Sequence, residues 1–168
     1  MKKSVTLVEL IMAIALMGVV ILGVSSFDVS SRHFLQASER KTQALNEATL
    51  IMDRISQDAL IAVGNANAAA VTVAGGTITI NQDTNQDGIA DTVVSYTIVG
   101  NQIQRTVGAN AEILTNRATG FVPAVVANSN TTQVVVTLRF NPLQPQNAFD
   151  NPLITIESSI EVPGWSLS

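Results

Sequence analysis

Between Leu10 and Val24 every residue is apolar or glycine, and widening the window to Val5 and Phe27 admits only Thr6, Glu9, Ser25 and Ser26. A run of that length meets the ~20 residues a helix needs to cross a bilayer. Lys2 and Lys3 precede it, and the positive-inside rule places that short basic tip in the cytoplasm and everything after Phe27 on the other side. A cleaved secretory signal fits poorly. Its apolar stretch is usually shorter, and no small-x-small site ends this one before the helical pattern resumes. The expectation is a single-pass membrane protein whose bulk is exported.

The rest of the composition agrees with an anchor plus one modest domain. With 168 residues the chain has room for one core beside the membrane segment. The mean hydropathy of +0.32 is high for a freely soluble domain, and much of the excess sits in the first 27 residues. A net charge of -4, with Lys and Arg scattered along the chain, offers no basic face to a phosphate backbone, so a nucleic-acid partner is not expected. The absence of cysteine removes disulfides, thiolate metal sites and a cysteine nucleophile.

Glu9 sits inside the apolar run, where translocon scales put a central charge at roughly 2.5 to 3.5 kcal/mol. Near the cytoplasmic interface the same carboxylate would stay hydrated and need no special role. The neighbours give it one. Lys3-Ser4-Val5-Thr6-Leu7-Val8-Glu9-Leu10-Ile11 resembles the prepilin cleavage motif of type IV pilins and type II secretion pseudopilins. Thr6, Leu7, Glu9 and Leu10 fit that motif, while Ser4 replaces the usual glycine before the cut and Val5 the usual Phe or Met after it.

The resemblance implies processing by prepilin peptidase between Ser4 and Val5, methylation of the new terminus at Val5, residence in the inner membrane, and assembly with other pilin or pseudopilin subunits. Glu9 would then lie four residues from a charged amine, and pairing with the amine of a neighbouring subunit would remove two isolated charges from an apolar medium.

Beyond Phe27, Leu45, Ala48, Met52, Ile55, Ala59 and Ala62 recur at spacings of three and four, the mark of an amphipathic helix. Asn46, Glu47, Asp53, Arg54, Gln57 and Asp58 are expected on its other sides, and Gly64-Asn65 is a stop signal. One helix is therefore expected from Thr6 to Val63, about 85 to 90 Å long. A coiled-coil seam is the weaker alternative, because several seam positions are alanine.

After Asn65 the chain is rich in Val, Ile and Thr, broken by Gly and Asn. Strands are expected at 70–74, 77–81, 92–99, 102–107, 133–141 and 153–162, with tight turns at Gly75-Gly76 and Gly100-Asn101. Val94, Tyr96 and Ile98 should share one face, as should Val134, Val136, Leu138 and Phe140. The fold class that follows is α+β, a long N-terminal helix on an antiparallel sheet. Its parts are a leader at 1–4, an assembly segment at 5–27, an amphipathic segment at 28–64 and an exported β-rich domain at 65–168. A second resemblance, to W-type minor pilins and J-type pseudopilins, rests on Tyr96-Thr97-Ile98, Gly100-Asn101, Ile103-Gln104-Arg105, Glu112-Ile113-Leu114-Thr115-Asn116 and Phe121.

One segment carries a candidate cation site. Asp83, Asn85 and Asp87 place oxygen side chains at alternate positions, Gly88 allows a sharp turn, and the Ile89 carbonyl with Asp91 extends the set. This resembles a calcium loop. Val94 stands where an EF-hand has its bidentate glutamate, so Ca2+ is expected to bind weakly, in the ~0.1 to 1 mM range. The same residues also make a plain solvated turn. His33 has no hydrolase partner, Glu157 and Glu161 should share the outer face of a strand, and Trp165 follows Pro163-Gly164 as a cap or contact anchor. Gly75-Gly76 lacks the Lys and Ser or Thr of a phosphate loop. No catalytic constellation is visible. The expected function is assembly, as a minor pilin or pseudopilin, with a major pilin or a tethered calcium- or ligand-binding module as alternatives.

Overall fold

The computed structural model describes residues 6–64, 69–126, 131–144 and 151–162. Ser4, Val5 and Trp165 lie outside the described residues. One helix, α1, runs from Leu7 to Leu60, and the chain divides into two units, Met1–Glu39 and Arg40–Ser168.

In the first unit the described residues are helical from Leu7 onward and none is buried. Leu10, Ile11, Met12, Ile14, Leu16 and Met17 all present more than half their surface. These positions lie all round the helix, not along one stripe, so no single partner face would cover them and an apolar medium would. The segment is long and apolar enough to cross a membrane. Past Phe27 the surface turns polar, and Asp28 and Arg32 pair one turn apart at 3.0 Å.

The second unit begins with the remaining turns of α1, which bury Ala44, Ala48, Ile51, Met52, Ile55, Asp58 and Ala59. The stripe is shifted from the expected one, taking in Ala44, Ile51 and Asp58 and leaving Leu45 out. Leu45 is 44% exposed and Ala44 is fully covered in its stead. Asp58, expected on the solvent side, faces inward at 7% exposure, where it has polar partners. The helix also stops at Leu60, short of Val63. Its continuation is displaced by sheet hydrogen bonds: Val63 N–H donates to the Asn81 carbonyl at 2.8 Å and Asp83 N–H to the Ile61 carbonyl at 3.1 Å.

Eight strands follow: β1 (Val71–Ala74), β2 (Thr77–Gln82), β3 (Thr92–Val99), β4 (Gln102–Val107), β5 (Asn110–Thr115), β6 (Ala118–Val125), β7 (Thr131–Arg139) and β8 (Leu153–Glu161). They form two antiparallel sheets, not the single one expected: a meander β1-β2-β3-β4-β5 and a smaller β6-β7-β8. Gly75 and Gly76, with φ of 57° and 78°, form the left-handed pair that a two-residue hairpin between β1 and β2 requires.

Pairing of Ile78 with Tyr96 and Ile80 with Val94 puts four large side chains on one face. In β7, Val134, Val136 and Leu138 alternate inward, while Phe140 falls just beyond the strand and is half-buried. Ile154 and Ile160 of β8 are buried, and Glu157 and Glu161 lie outside, as their alternation requires. The inner faces of both sheets and the stripe on α1 share one apolar core. This unit is an α+β domain.

Candidate functional site

Four arrangements of polar side chains bear on what the chain does. The first is at the helix start. Thr6 N–H and Thr6 Oγ1 both donate to Glu9 Oε2, at 2.9 and 3.0 Å, and Glu9 N–H donates to Thr6 Oγ1 at 3.3 Å. That is a capping box, satisfying backbone groups that the first turn leaves without helical partners. The sequence signal was a threonine followed three residues later by glutamate, a pattern overlooked beside the cost of the charge. Among the described residues no donor reaches Glu9 Oε1.

The second is the loop between β2 and β3. Asp83 is almost fully covered, and its two oxygens accept from Asp87 N–H at 3.2 Å and Gly88 N–H at 2.7 Å. Asn85 Oδ1 accepts from the same Asp87 N–H at 3.0 Å, so oxygens from alternate residues converge on one donor. Asp87 Oδ1 in turn accepts from Ile89 N–H at 2.8 Å. Asp91 closes the loop, taking the Thr84 N–H and hydroxyl, and these bonds hold its carboxyl below the usual aspartate range. Among the described residues no three acidic or histidine side chains stand close enough together to hold a metal ion. In this geometry the loop carboxylates serve N–H and O–H donors instead of converging on a common point, and Ca2+ would have to exchange those bonds for its own.

The third arrangement was not foreseen. Asp58, from α1, meets Arg105, from β4, in a two-pronged ion pair, and the phenol of Tyr96, from β3, donates to the same carboxylate. Gln82 Nε2 donates to the Asp58 carbonyl at 2.9 Å. Burial pushes the Asp58 carboxyl up, but bonds from Arg105, Tyr96 and Gln82 outweigh that and leave it below the ordinary value. Burial and the carboxylate beside it push the Tyr96 phenol well up. With its carboxylate taken by the Arg105 fork and the Tyr96 hydroxyl, this triad holds α1, β3 and β4 together.

A fourth, more exposed cluster ties α1 to the strand junction. Glu47 accepts from Arg117 Nη1 at 2.7 Å and from Thr115 Oγ1 at 3.0 Å. The guanidinium groups of Arg117 and Arg40 stand 4.6 and 5.0 Å from the centroid of the Phe140 ring. Glu47, expected among the solvated residues, is thus half-buried and paired.

Comparison with protein-family models, with curated proteins and with solved structures gives no match to this chain.

Proposed function

We propose that the chain is a non-catalytic filament subunit of the type IV pilin class, a minor pilin or pseudopilin that prepilin peptidase cuts between Ser4 and Val5. The observation that carries this reading is the first unit: an apolar helix exposed on all sides whose opening turn holds a carboxylate with one oxygen that no donor among the described residues reaches. Before assembly such a helix sits in the inner membrane with the second unit outside the cytoplasm. During assembly it exchanges lipid for the helices of neighbouring subunits, and Glu9 Oε1 meets the methylated amine of a neighbour's Val5.

The hairpin of β3 and β4 about Gly100-Asn101, with Arg105 in its second strand, favours the minor pilin or pseudopilin reading over a major pilin. Abundance in purified filaments separates the two. The deciding test of the class is intact mass and N-terminal analysis of the membrane-extracted protein coexpressed with a prepilin peptidase. A chain starting at methylated Val5 is the expected result; a chain that keeps Lys2 and Lys3 despite an active peptidase would overturn the assignment.

A second reading, a tethered calcium-binding module that does not polymerise, rests on the alternate oxygen side chains of Asp83, Asn85 and Asp87, whose hydrogen bonds to the loop Ca2+ would have to replace. Calcium would draw on Asp83, Asn85, Asp87, Asp91 and the Ile89 carbonyl. The two readings are compatible at the level of the loop and part at the leader, since only the filament subunit is cut there.

A further inference from the structure

Arg139, the last residue of β7, breaks the strand's alternation. Val134, Val136 and Leu138 point into the core, so Arg139 belongs with Thr137 to the opposite face, where side chains are ordinarily open to water. Yet Arg139 is only 5% exposed, and its buried Nε has no hydrogen-bond partner. Arg105 and Arg117 of the same unit each reach a carboxylate, at Asp58 and Glu47. Among the described residues Arg139 reaches none. Of its three nitrogens only Nε is buried without a partner, a missing hydrogen bond that an acceptor from outside the chain could supply.

The surroundings describe that acceptor. Arg139 lines a hollow of about 430 Å³ together with Gly100, Asn101, Thr119, Thr137, Pro142 and Leu153. The volume suits a small molecule of one or two rings. The walls are polar, but their donors are partly engaged: Asn101 Nδ2 donates to the Ala118 carbonyl at 3.1 Å and Thr119 Oγ1 to the Thr137 carbonyl at 3.3 Å. Asn101 Oδ1 and the threonine oxygens remain as acceptors. A site with one strong planar cation and several neutral acceptors fits a ligand bearing a carboxylate and hydroxyl groups.

We propose that this hollow binds a hydroxylated carboxylic acid of the uronic-acid class, its carboxylate forked onto Arg139 and its hydroxyls donating to Asn101, Thr119 and Thr137. Arg is suited to that role because its planar fork matches a carboxylate in two parallel hydrogen bonds. The inference does not depend on filament assembly.

The test is calorimetric titration of the full chain in detergent micelles with D-glucuronate, with D-glucose as the neutral control and inorganic phosphate as the competing anion. Glucuronate should bind at millimolar concentration, at least about tenfold more tightly than glucose or phosphate. Arg139→Met should weaken it by at least about tenfold, while the thermal midpoint of the free protein stays level or rises because a buried N–H without an acceptor is gone. Thr119→Val, at an exposed position of β6, should weaken glucuronate without moving the midpoint. Absence of glucuronate binding to the parent protein, equal binding of glucose or phosphate, or unchanged binding to both variants would each overturn the proposal.

Discussion

Asp58 and Arg105 lie side by side, Oδ2 to Nε at 2.7 Å and Oδ1 to Nη2 at 3.0 Å, fastening the last turns of α1 to β4. Both side chains are nearly covered, and Tyr96 supplies a further donor to the same carboxylate. An ion pair in this setting is weak evidence of net stabilisation, since both charges leave water to form it. Its value lies in register. The pair is made only when α1, β3 and β4 meet at one set of positions, and any slip leaves two covered charges without partners.

Asp58→Asn keeps the size of the side chain and removes the charge, leaving the Arg105 guanidinium unmatched. The expected loss is about 3 kcal/mol of unfolding free energy, measured by denaturant titration of the full chain. Replacing both partners, Asp58→Leu with Arg105→Met, should be less destabilising than Asp58→Asn alone. A double variant as unstable as the sum of its singles would mean that the two side chains act independently.

The same pair sets a pH dependence. The folded Asp58 carboxyl lies below its ordinary value of 3.8, so the unfolded chain binds its proton more readily than the folded one. Its contribution is therefore fully present above about pH 5, starts to fall as pH drops through the unfolded value near 4, and is gone below the folded value. Asp91 shifts in the same direction and adds to the trend. Thermal midpoints between pH 7 and pH 2 should fall on the acid side, and Asp58→Asn should flatten that fall. An unchanged acid slope in the variant would locate the titration elsewhere.

What the sequence disclosed, and what it withheld, follows from how each element is stabilised. The strands 92–99 and 102–107 match β3 and β4 to the residue because their turn and their alternation are local signals. Strands β5 and β6 were missed for physical reasons. In β5 four of six residues are exposed, leaving no burial alternation to read, and β6 contains Gly120 and Pro123, which argue against a strand. Proline is tolerated there because β6 pairs only with β7, so the lost N–H faces an open edge. Asp58 was placed outside because a carboxylate in a helix is ordinarily solvated, and nothing local indicates that Arg105, 47 positions away, will meet it. Arg139 is hidden for the same reason: the hollow it lines is shared with the Gly100-Asn101 turn, nearly 40 positions earlier in the chain.

The loop between β2 and β3 offers a separation of ion from turn. Asp83 holds two backbone N–H groups, so Asp83→Ala should cost about 1.5 to 3 kcal/mol whether or not a cation binds. Gly88, at φ 84°, should tolerate Ala at a cost of about 1 kcal/mol or more. Calcium adds a distinct signature: at about ten times its dissociation constant it should stabilise the parent protein by roughly 1.4 kcal/mol and leave Asp83→Ala unchanged. If millimolar calcium moves neither the midpoint nor the heat of mixing, the loop is an Asx-bonded turn and no more.

Glu9 has two separable roles, and a pair of substitutions distinguishes them. Glu9→Gln keeps an oxygen that accepts from Thr6 N–H and so preserves the capping box, but carries no charge to offer a neighbour's amine. Glu9→Ala loses both functions and should fray the first turn. Amide exchange at Leu7 to Leu10 in micelles reads the cap, and filament yield from cells that also express the prepilin peptidase reads assembly. Protection of the first turn should be retained in Glu9→Gln and reduced in Glu9→Ala, whereas filament yield should drop at least about tenfold in both. Normal filaments from Glu9→Gln would show that the carboxylate serves the helix terminus alone, and that the pairing of Glu9 with Val5 across subunits is not what drives assembly.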